Sequence, residues 1–401
     1  MDQSSAYDLV DHGILMEKLR CYNFTDKTLS WFRTYLQDRK YTYQIEARQS
    51  KEKNIGPYGV PQGSVLGGLL YIISQNDLPA SNPESDTGQS TIFIDDNTEQ
   101  ESDSDLSNLK DKLQDRVDRV ADWLVDNKMV LEPTKTKMII SMTKELRSRR
   151  FPNMDISIKV SNETILPTPS EKLLGVLISE DMTWQKYLWG ETWREEKNWA
   201  GVIPQLIQRL AMLRYLGRVT SVVKMRMLIP GILLSKIQYA LPLVGSMWGI
   251  SGYSVSEPMK ICFTKADLYK IQSIQRQAAI LMLPPSNGLD LRSTESVLDE
   301  VKWISIHQMI AVSTLSLFLR IIQYGIPDGI CDYLIKTRDS RVASGQYKIQ
   351  RYNLNMSLEN FVNQAIRLHN MLPAEIRSTK QGNKQKKDII NWVKTNIAVK
   401  P

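Results

Sequence analysis

The sequence predicts an α+β protein, a mixed layer of helices and strands in its first half and helices alone in its second. Every run rich enough in β-branched or aromatic residues to read as a strand falls before residue 184. From Trp184 onward apolar residues recur at helical spacing and no convincing strand remains. At 401 residues the chain is long enough for two or three domains, each with its own core.

Residues 11–36 read as two helices. Ile14, Leu15 and Leu19, then Leu29, Phe32 and Leu36, lie at helical spacing, and Thr25 or Asp26 caps the second helix. Residues 41–47 alternate as a strand, residues 51–61 form a loop with two glycines and two prolines, and residues 64–73 turn apolar and helical. A short strand over 91–94 ends at Asp95 and Asp96. Leu106, Leu109, Leu113, Val117, Val120 and Leu124 mark one apolar stripe on a long helix. Strand candidates follow at 137–142, 156–160, 164–166 and 173–178, the middle two joined by a Ser161-Asn162 turn. Helices run on to about residue 333, another covers 358–371, and the polar, basic stretch 379–387 is expected to be flexible. Boundaries are expected near 180–195 and 257–265.

A hydrophobic content of 42% and a charged content of 24% are ordinary for a soluble globular protein. No stretch approaches the roughly 18 uninterrupted apolar residues of a membrane span, so no membrane partner is expected. The first residues show no basic-then-apolar signal, and Asp2, Asp8 and Asp11 argue against secretion. Cys21, Cys262 and Cys331 lie too far apart in sequence to suggest a disulfide framework or a zinc knuckle. An intracellular setting, nucleus or cytoplasm, fits. The net charge is +7, and its distribution is uneven: residues 197–256 hold no Asp or Glu but include Arg209, Arg214, Arg218, Lys224 and Arg226, whereas residues 86–126 are strongly acidic. Such segregation suits one surface facing phosphates, though a solvated helix face fits the charge equally well.

Three short segments carry the chemistry. They are Asp2-Gln3-Ser4-Ser5-Ala6-Tyr7-Asp8-Leu9-Val10-Asp11-His12, then Gly59-Val60-Pro61-Gln62-Gly63-Ser64-Val65-Leu66-Gly67-Gly68-Leu69-Leu70, then Phe93-Ile94-Asp95-Asp96. An aromatic-x-Asp-Asp tetrapeptide alone is commonly a polar hairpin turn. A Gly-x-Pro-Gln-Gly before an apolar helix says more, because so dense a loop brings backbone close to something. All three in this order, with a helix-sized insert before the third, are specific. The chain resembles the reverse transcriptases of non-LTR, LINE-type retrotransposons. The departures are Gln3 where Leu is usual, Gly68 in place of Pro, and Ile94 in place of Ala. The likeness continues through Pro133-Thr134-Lys135-Thr136, residues 172–184, Ile237-Gln238-Tyr239-Ala240 and residues 365–377, and so covers nearly the whole chain.

The resemblance implies a partial polymerase palm over 1–183, an antiparallel sheet with packed helices, then a helical thumb over 184–260 and a helical C-terminal region over 261–401 with a basic tail. It implies an RNA-directed DNA polymerase that works on an RNA template, a DNA primer and deoxynucleoside triphosphates. Nucleotidyl transfer of that kind uses two Mg²⁺ ions, with Mn²⁺ as the alternative, and hard cations take carboxylate oxygens. By resemblance Asp2, Asp95 and Asp96 are the catalytic metal ligands, Asp2 and Asp95 directly. Tyr7 would exclude a ribose 2′-hydroxyl, a core aromatic being nearly as good a reading. Gln62 and Gly63 would pack on nucleotide and template, and Lys135 would steady the triphosphate or remain an exposed lysine. The basic thumb residues Arg209, Arg214, Arg218, Lys224 and Arg226 would track duplex phosphates.

Two departures shape the expected function. Only Met1 precedes Asp2, so the strand and fingers that the resemblance places there are expected to be missing, leaving Asp2 on a frayed end. After the acid pair, Asn97-Thr98-Glu99-Gln100-Glu101 lacks the apolar alternation of a return strand. The isolated chain is therefore expected to lack polymerase activity. A chain kept for binding RNA or RNA–DNA hybrid without catalysis, and a translated relic, are the competing expectations.

Overall fold

The computed structural model describes residues 6–78, 88–142, 144–151, 154, 156–193, 197–245, 263–284, 290–325, 330–331, 334, 346–348, 361–379 and 382–397. Mixed helices and strands bear out the α+β class. The chain divides into two compact units, residues 1–140 with 144–169, and residues 141–143 with 170–401.

In the first unit the helical spacing produces α1 (His12–Cys21) and α2 (Asp26–Leu36), which bury Leu15, Met16 and Leu19, then Leu29, Phe32 and Leu36. Asp11 caps α1 by accepting the Ile14 N–H at 3.0 Å, and Thr25 caps α2 through the Thr28 N–H. The expected single strand over 41–47 is instead part of a ribbon. β1 (Lys40–Tyr41) and β2 (Gln44–Ile45) fold back onto β3 (Arg48–Gln49) and β4 (Lys53–Asn54), because the chain reverses at Glu46, whose φ is 53°. α3 (Val65–Gln75), β5 (Gln89–Phe93), β6 (Asp96–Gln100) and α4 (Leu106–Asp126) follow. The apolar stripe of α4 enters the core at Val117, Val120 and Leu124, in the same buried cluster as Leu70 and Tyr71 of α3. Each fully buried side chain of this size contributes about 1.5–3 kcal/mol relative to exposure.

After a 3₁₀ turn over Pro133–Lys135 and α5 (Lys144–Arg150), β7 (Ile158–Val160) and β8 (Glu163–Ile165) form a hairpin about Ser161, whose φ is 54°. The strand expected over 137–142 does not form. Met138 makes one isolated bridge to Pro167, and Pro167 and Pro169 lack the N–H groups that would extend a ladder. Among the described residues the strands pair as six two-stranded antiparallel sheets.

The second unit opens with a correction. The strand expected over 173–178 is a hairpin of β9 (Ser170–Leu173) and β10 (Val176–Ser179), turning at Leu174 (φ 47°) and Gly175 (φ 81°). Two successive positive φ values are what a tight two-residue turn between twisted strands requires. A second correction follows α6 (Gln185–Trp189): β11 (Glu191–Trp193) and β12 (Lys197–Trp199) pair although no strand was expected there. Trp199 stacks on Tyr187 at 5.9 Å and its indole N–H donates to the Tyr187 carbonyl at 3.0 Å. A Cβ on Gly201 would collide with the Gly190 backbone, so both ends of this hairpin depend on glycine.

The helices then accumulate as expected. α7 (Val202–Val219) and α8 (Val222–Ile229) come first, and α8 widens into a π turn over Pro230–Leu234, where proline lacks the N–H of a regular helix. α9 (Ser235–Gln238), α10 (Leu241–Val244), α11 (Lys265–Ile280), α12 (Thr294–Glu300) and α13 (Ile306–Tyr324) complete the central layer. Reciprocal caps at Thr264 with Asp267 and at Ser305 with Gln308 start α11 and α13. α13 is long and apolar enough to cross a membrane by composition, and it is mostly buried inside this unit. α14 (Phe361–Met371), α15 (Ala374–Ser378) and α16 (Asn383–Asn396) end the fold. The flexible tail expected over 379–387 is corrected in part, since residues 383–387 begin α16. Ile389 and Val393 of α16 lie in the main core, and the Gln308 amide donates to the Ile397 carbonyl at 2.9 Å.

His369 of α14 is buried against the edges of Phe318 and Tyr347, with ring centroids 5.4 Å from each. Burial, then the nearby Arg377 charge, push its pKa down to about 4 against a partial pull upward from Asn370. The unfolded chain therefore binds a proton near pH 6.5 that the folded one refuses until about pH 4. Stability should fall on acidification through that window by on the order of 3 kcal/mol. Urea unfolding at stepped pH should show this slope, and His369→Phe should flatten it.

Candidate active site

Asp2 lies outside the described residues. From Ala6 on, the first segment runs against the second: the Val60 N–H donates to the Tyr7 carbonyl at 2.8 Å and the Gly59 N–H to the Val10 carbonyl at 2.8 Å. The His12 N–H donates to the Pro57 carbonyl at 3.1 Å, and its Nε2 lies 2.8 Å from the Gly59 oxygen. Gly59, at φ 88°, has the Asp8 carbonyl oxygen only 3.2 Å from where a Cβ would stand. This approach is why the loop is dense in glycine. Tyr7 is half-buried and stacks on fully buried Tyr71 at 4.4 Å with an interplanar angle of 13°. Asp11 is buried beside Lys128, whose Nζ is 2.7 Å away. Burial raises the Asp11 pKa, but the Lys128 hydrogen bond, the Ile14 N–H and the Lys128 charge outweigh it and hold the carboxyl below its usual range.

Beyond Pro61 the loop enters α3. Ser64 Oγ donates to the Pro61 carbonyl at 2.8 Å, accepts the Gly67 N–H at 2.9 Å, and receives the Tyr35 hydroxyl at 3.2 Å. A Cβ at Gly67 would collide with the Pro61 carbonyl oxygen, which fixes the angle between loop and helix. Gln62 and Gly63 are exposed, and Gly63, at φ 76°, would meet nothing with a Cβ. Its need for glycine is conformational, and the space in front of it is open.

The acid pair sits at a hairpin tip. Phe93 pairs with Asp96, so Ile94 and Asp95 are the two turn residues, and Ile94 takes φ 60°. A β-branched side chain in that region is strained by about 1–3 kcal/mol and persists only where neighbours over-determine it. Asp95 and Asp96 are both half-exposed. What holds the return strand lies outside the strand itself. β6 has no apolar inward face; it is fastened by Arg116 of α4, 2% exposed, to Glu99 at 2.9 Å and to Glu101, side chains that are themselves 3% and 1% exposed. Arg116 also donates to Ser90 of β5 at 3.2 Å, so one guanidinium spans both strands of the hairpin.

Residues 1–187 match the family model described as reverse transcriptase (RNA-dependent DNA polymerase). That match covers 187 of the chain's 401 residues. Among its relatives, the probable RNA-directed DNA polymerase from transposon X-element of Drosophila melanogaster is 28% identical over 191 residues, 47% of this chain and 20% of that protein. The RNA-directed DNA polymerase from mobile element jockey of Drosophila funebris is 23% identical over 192 residues, again 47% and 20%. The probable RNA-directed DNA polymerase from transposon BS of Drosophila melanogaster is 35% identical over 82 residues, 20% and 9%. The matched part thus spans about a fifth of the length of the first relatives. The matched segment is thus similar to RNA-directed DNA polymerases encoded by mobile elements.

Reverse transcriptases use divalent metals. The oxygens of Asp95 and Asp96 are the hard donors that Mg²⁺ takes, and their half-exposed position leaves room for retained waters. Among the described residues no three His, Cys, Asp or Glu side chains group as a metal site. Lys135 is exposed on its 3₁₀ turn. In the second unit Arg214, Arg218, Lys224 and Arg226 are exposed on α7 and α8, while half-buried Arg209 donates to the Ile232 carbonyl. Arg214 and Arg226 also hold structural bonds, to Gln277 and to the Met282 carbonyl. Arg116 and Lys128 went unnoticed in the sequence because a cation among polar and acidic neighbours reads as a solvated one.

Two outcomes follow. Gly67→Ala should destabilise the fold by about 1–3 kcal/mol through overpacking, whereas Gly68→Ala, which meets nothing, should stabilise it by up to about 1 kcal/mol. Arg116→Met should cost about 3–5 kcal/mol by removing the guanidinium that two buried carboxylates share, and adding Glu99→Val and Glu101→Val should restore most of the loss. Urea denaturation of the full chain reads both.

Proposed function

We propose that the chain is a segment of a retrotransposon RNA-directed DNA polymerase in which residues 1–183 act as palm, 184–260 as thumb and 261–401 as a helical C-terminal region. The pairing of Tyr7 and Val10 with Gly59 and Val60 carries this reading, because it brings an aromatic ring and an open glycine-rich loop together. In this reading RNA template, DNA primer and a deoxynucleoside triphosphate are the substrates, and the setting is intracellular. Asp95 and Asp96, with Asp2, hold the catalytic Mg²⁺ ions, for which Mn²⁺ substitutes. The bound metals supply charge neutralisation and activation of the primer hydroxyl. Tyr7 sets the floor under the sugar, Gln62 and Gly63 leave the nucleotide its space, and Lys135 meets the triphosphate. Arg209, Arg214, Arg218, Lys224 and Arg226 follow the duplex phosphates, the exposed Arg218 and Lys224 most freely.

The same reading holds that the isolated chain binds metal without extending a primer. Strain at Ile94 in the turn that carries both acids supports this, since a metal site tolerates only about 0.5 Å of misplacement. Mn²⁺ titration followed by electron paramagnetic resonance should show binding that weakens at least about tenfold in the Asp95→Asn, Asp96→Asn double variant. Equal binding by both proteins sinks the assignment of the turn. Primer extension on an RNA template with the purified chain should give no product, and measurable incorporation overturns the inactivity alone. Salt-dependent RNA binding that ignores the double variant, with no metal dependence, would favour a purely nucleic-acid-binding protein.

A further inference from the structure

The ribbon of β1 to β4 is not accounted for by the polymerase motifs. Every residue from Lys40 to Tyr58 is exposed, including Tyr43 at 63% and Ile45 at 75%. Ile45 pairs with Arg48 near the tip and Tyr41 pairs with Lys53 near the base. Ile45 lies four positions after Tyr41 on one strand, and Lys53 lies five positions after Arg48 on the other, so one strand carries a single extra residue. Without it, the period-two alternation would place Lys53 on the opposite face from Arg48. With it, Tyr41, Tyr43, Ile45, Arg48 and Lys53 share one face. The ring contact between Tyr41 and Tyr43, 5.3 Å at 83°, agrees with that phase. The other face is occupied by its own bonds, Lys40 with Glu52 at 3.0 Å and the Gln49 amide with Thr42 Oγ1 at 3.1 Å.

From residue 39 to 55 there are five Lys or Arg against two Glu, and one of those Glu is already paired to Lys40. The free ring faces and the unspent positive charge therefore lie together. Exposed strand edges invite pairing with a second copy, but Lys40, Lys51 and Lys53 along this ribbon oppose it. Aromatic faces beside cations are the combination that holds unpaired bases and the phosphates between them. A-form duplex offers such a ribbon a groove too narrow to enter and no free base to stack. We propose that this face of the ribbon is a docking surface for single-stranded nucleic acid, with bases on Tyr41 and Tyr43 and phosphates on Arg48 and Lys53.

The test uses the full chain, labelled oligouridine and oligodeoxythymidine, and fluorescence anisotropy over a range of salt. The Tyr43→Ala, Arg48→Ala, Lys53→Ala variant should bind both single strands at least about tenfold more weakly. Its salt slope should be shallower by about 1.4 for the two lost cations. Tyr43→Phe, which keeps the ring, should bind as the parent does. All three positions are exposed, so the thermal transition should not move. Parent-like affinity and slope in the triple variant overturn the proposal. An equal loss on double-stranded RNA also overturns it, because stacking would then play no part. A parent dimer that the variant dissociates, seen by light scattering, assigns the face to self-association instead.

Discussion

The first unit depends on a reach across sequence made by main chain alone. The bonds from Val60 to Tyr7 and from Gly59 to Val10 join segments about fifty residues apart, and neither requires a particular side chain. What they require is the absence of one, at Gly59. Closing a loop of that length costs entropy that grows only slowly with its size. A few such bonds suffice once Leu15, Leu19, Leu70 and Tyr71 have brought α1 and α3 together. The loop around Gln62 is thereby set as a consequence of packing behind it. The Tyr7 ring, stacked on Tyr71, is anchored by the same core.

The acid hairpin is held on a different principle. A strand with alternating apolar residues would be fastened by burial, without direction. β6 and the residue after it instead offer Glu99 and Glu101 to one guanidinium, a directional clamp with a high desolvation cost. Such a clamp is weak evidence of extra stability. It does specify register, since a shift by one residue would move both carboxylates to the far face. That specificity is what lets a strained residue such as Ile94 persist in the turn.

How far the sequence could be read follows from the range of the interactions. The stripe on α4, the Thr25 cap and the Ser161 turn are local patterns, and each formed where expected. The turn at Leu174 and Gly175 was hidden because apolar residues flank it on both sides and one glycine in an apolar run reads as a tolerated guest. The hairpin ending at Trp199 was hidden because its strands draw their stability from Tyr187, outside the hairpin itself. In the candidate site, Asp95 and Asp96 were legible as a polar turn. Arg116 was not, for its partners lie fifteen and seventeen residues away on an element that sequence alone described as unfit to pair.

These differences bear on how the unusual acid turn came to be tolerated. A reverse transcriptase segment whose return strand had simply lost its apolar residues would expose the hairpin's inner face and fray it. Here Glu99 and Glu101 are answered by Arg116 on the helix, and all three side chains lie almost wholly out of water. Losing one partner of such a buried charge set costs several kcal/mol. The clamp therefore fixes the shape of this hairpin by charge where apolar packing on the strand is lacking, whatever chemistry the turn still supports.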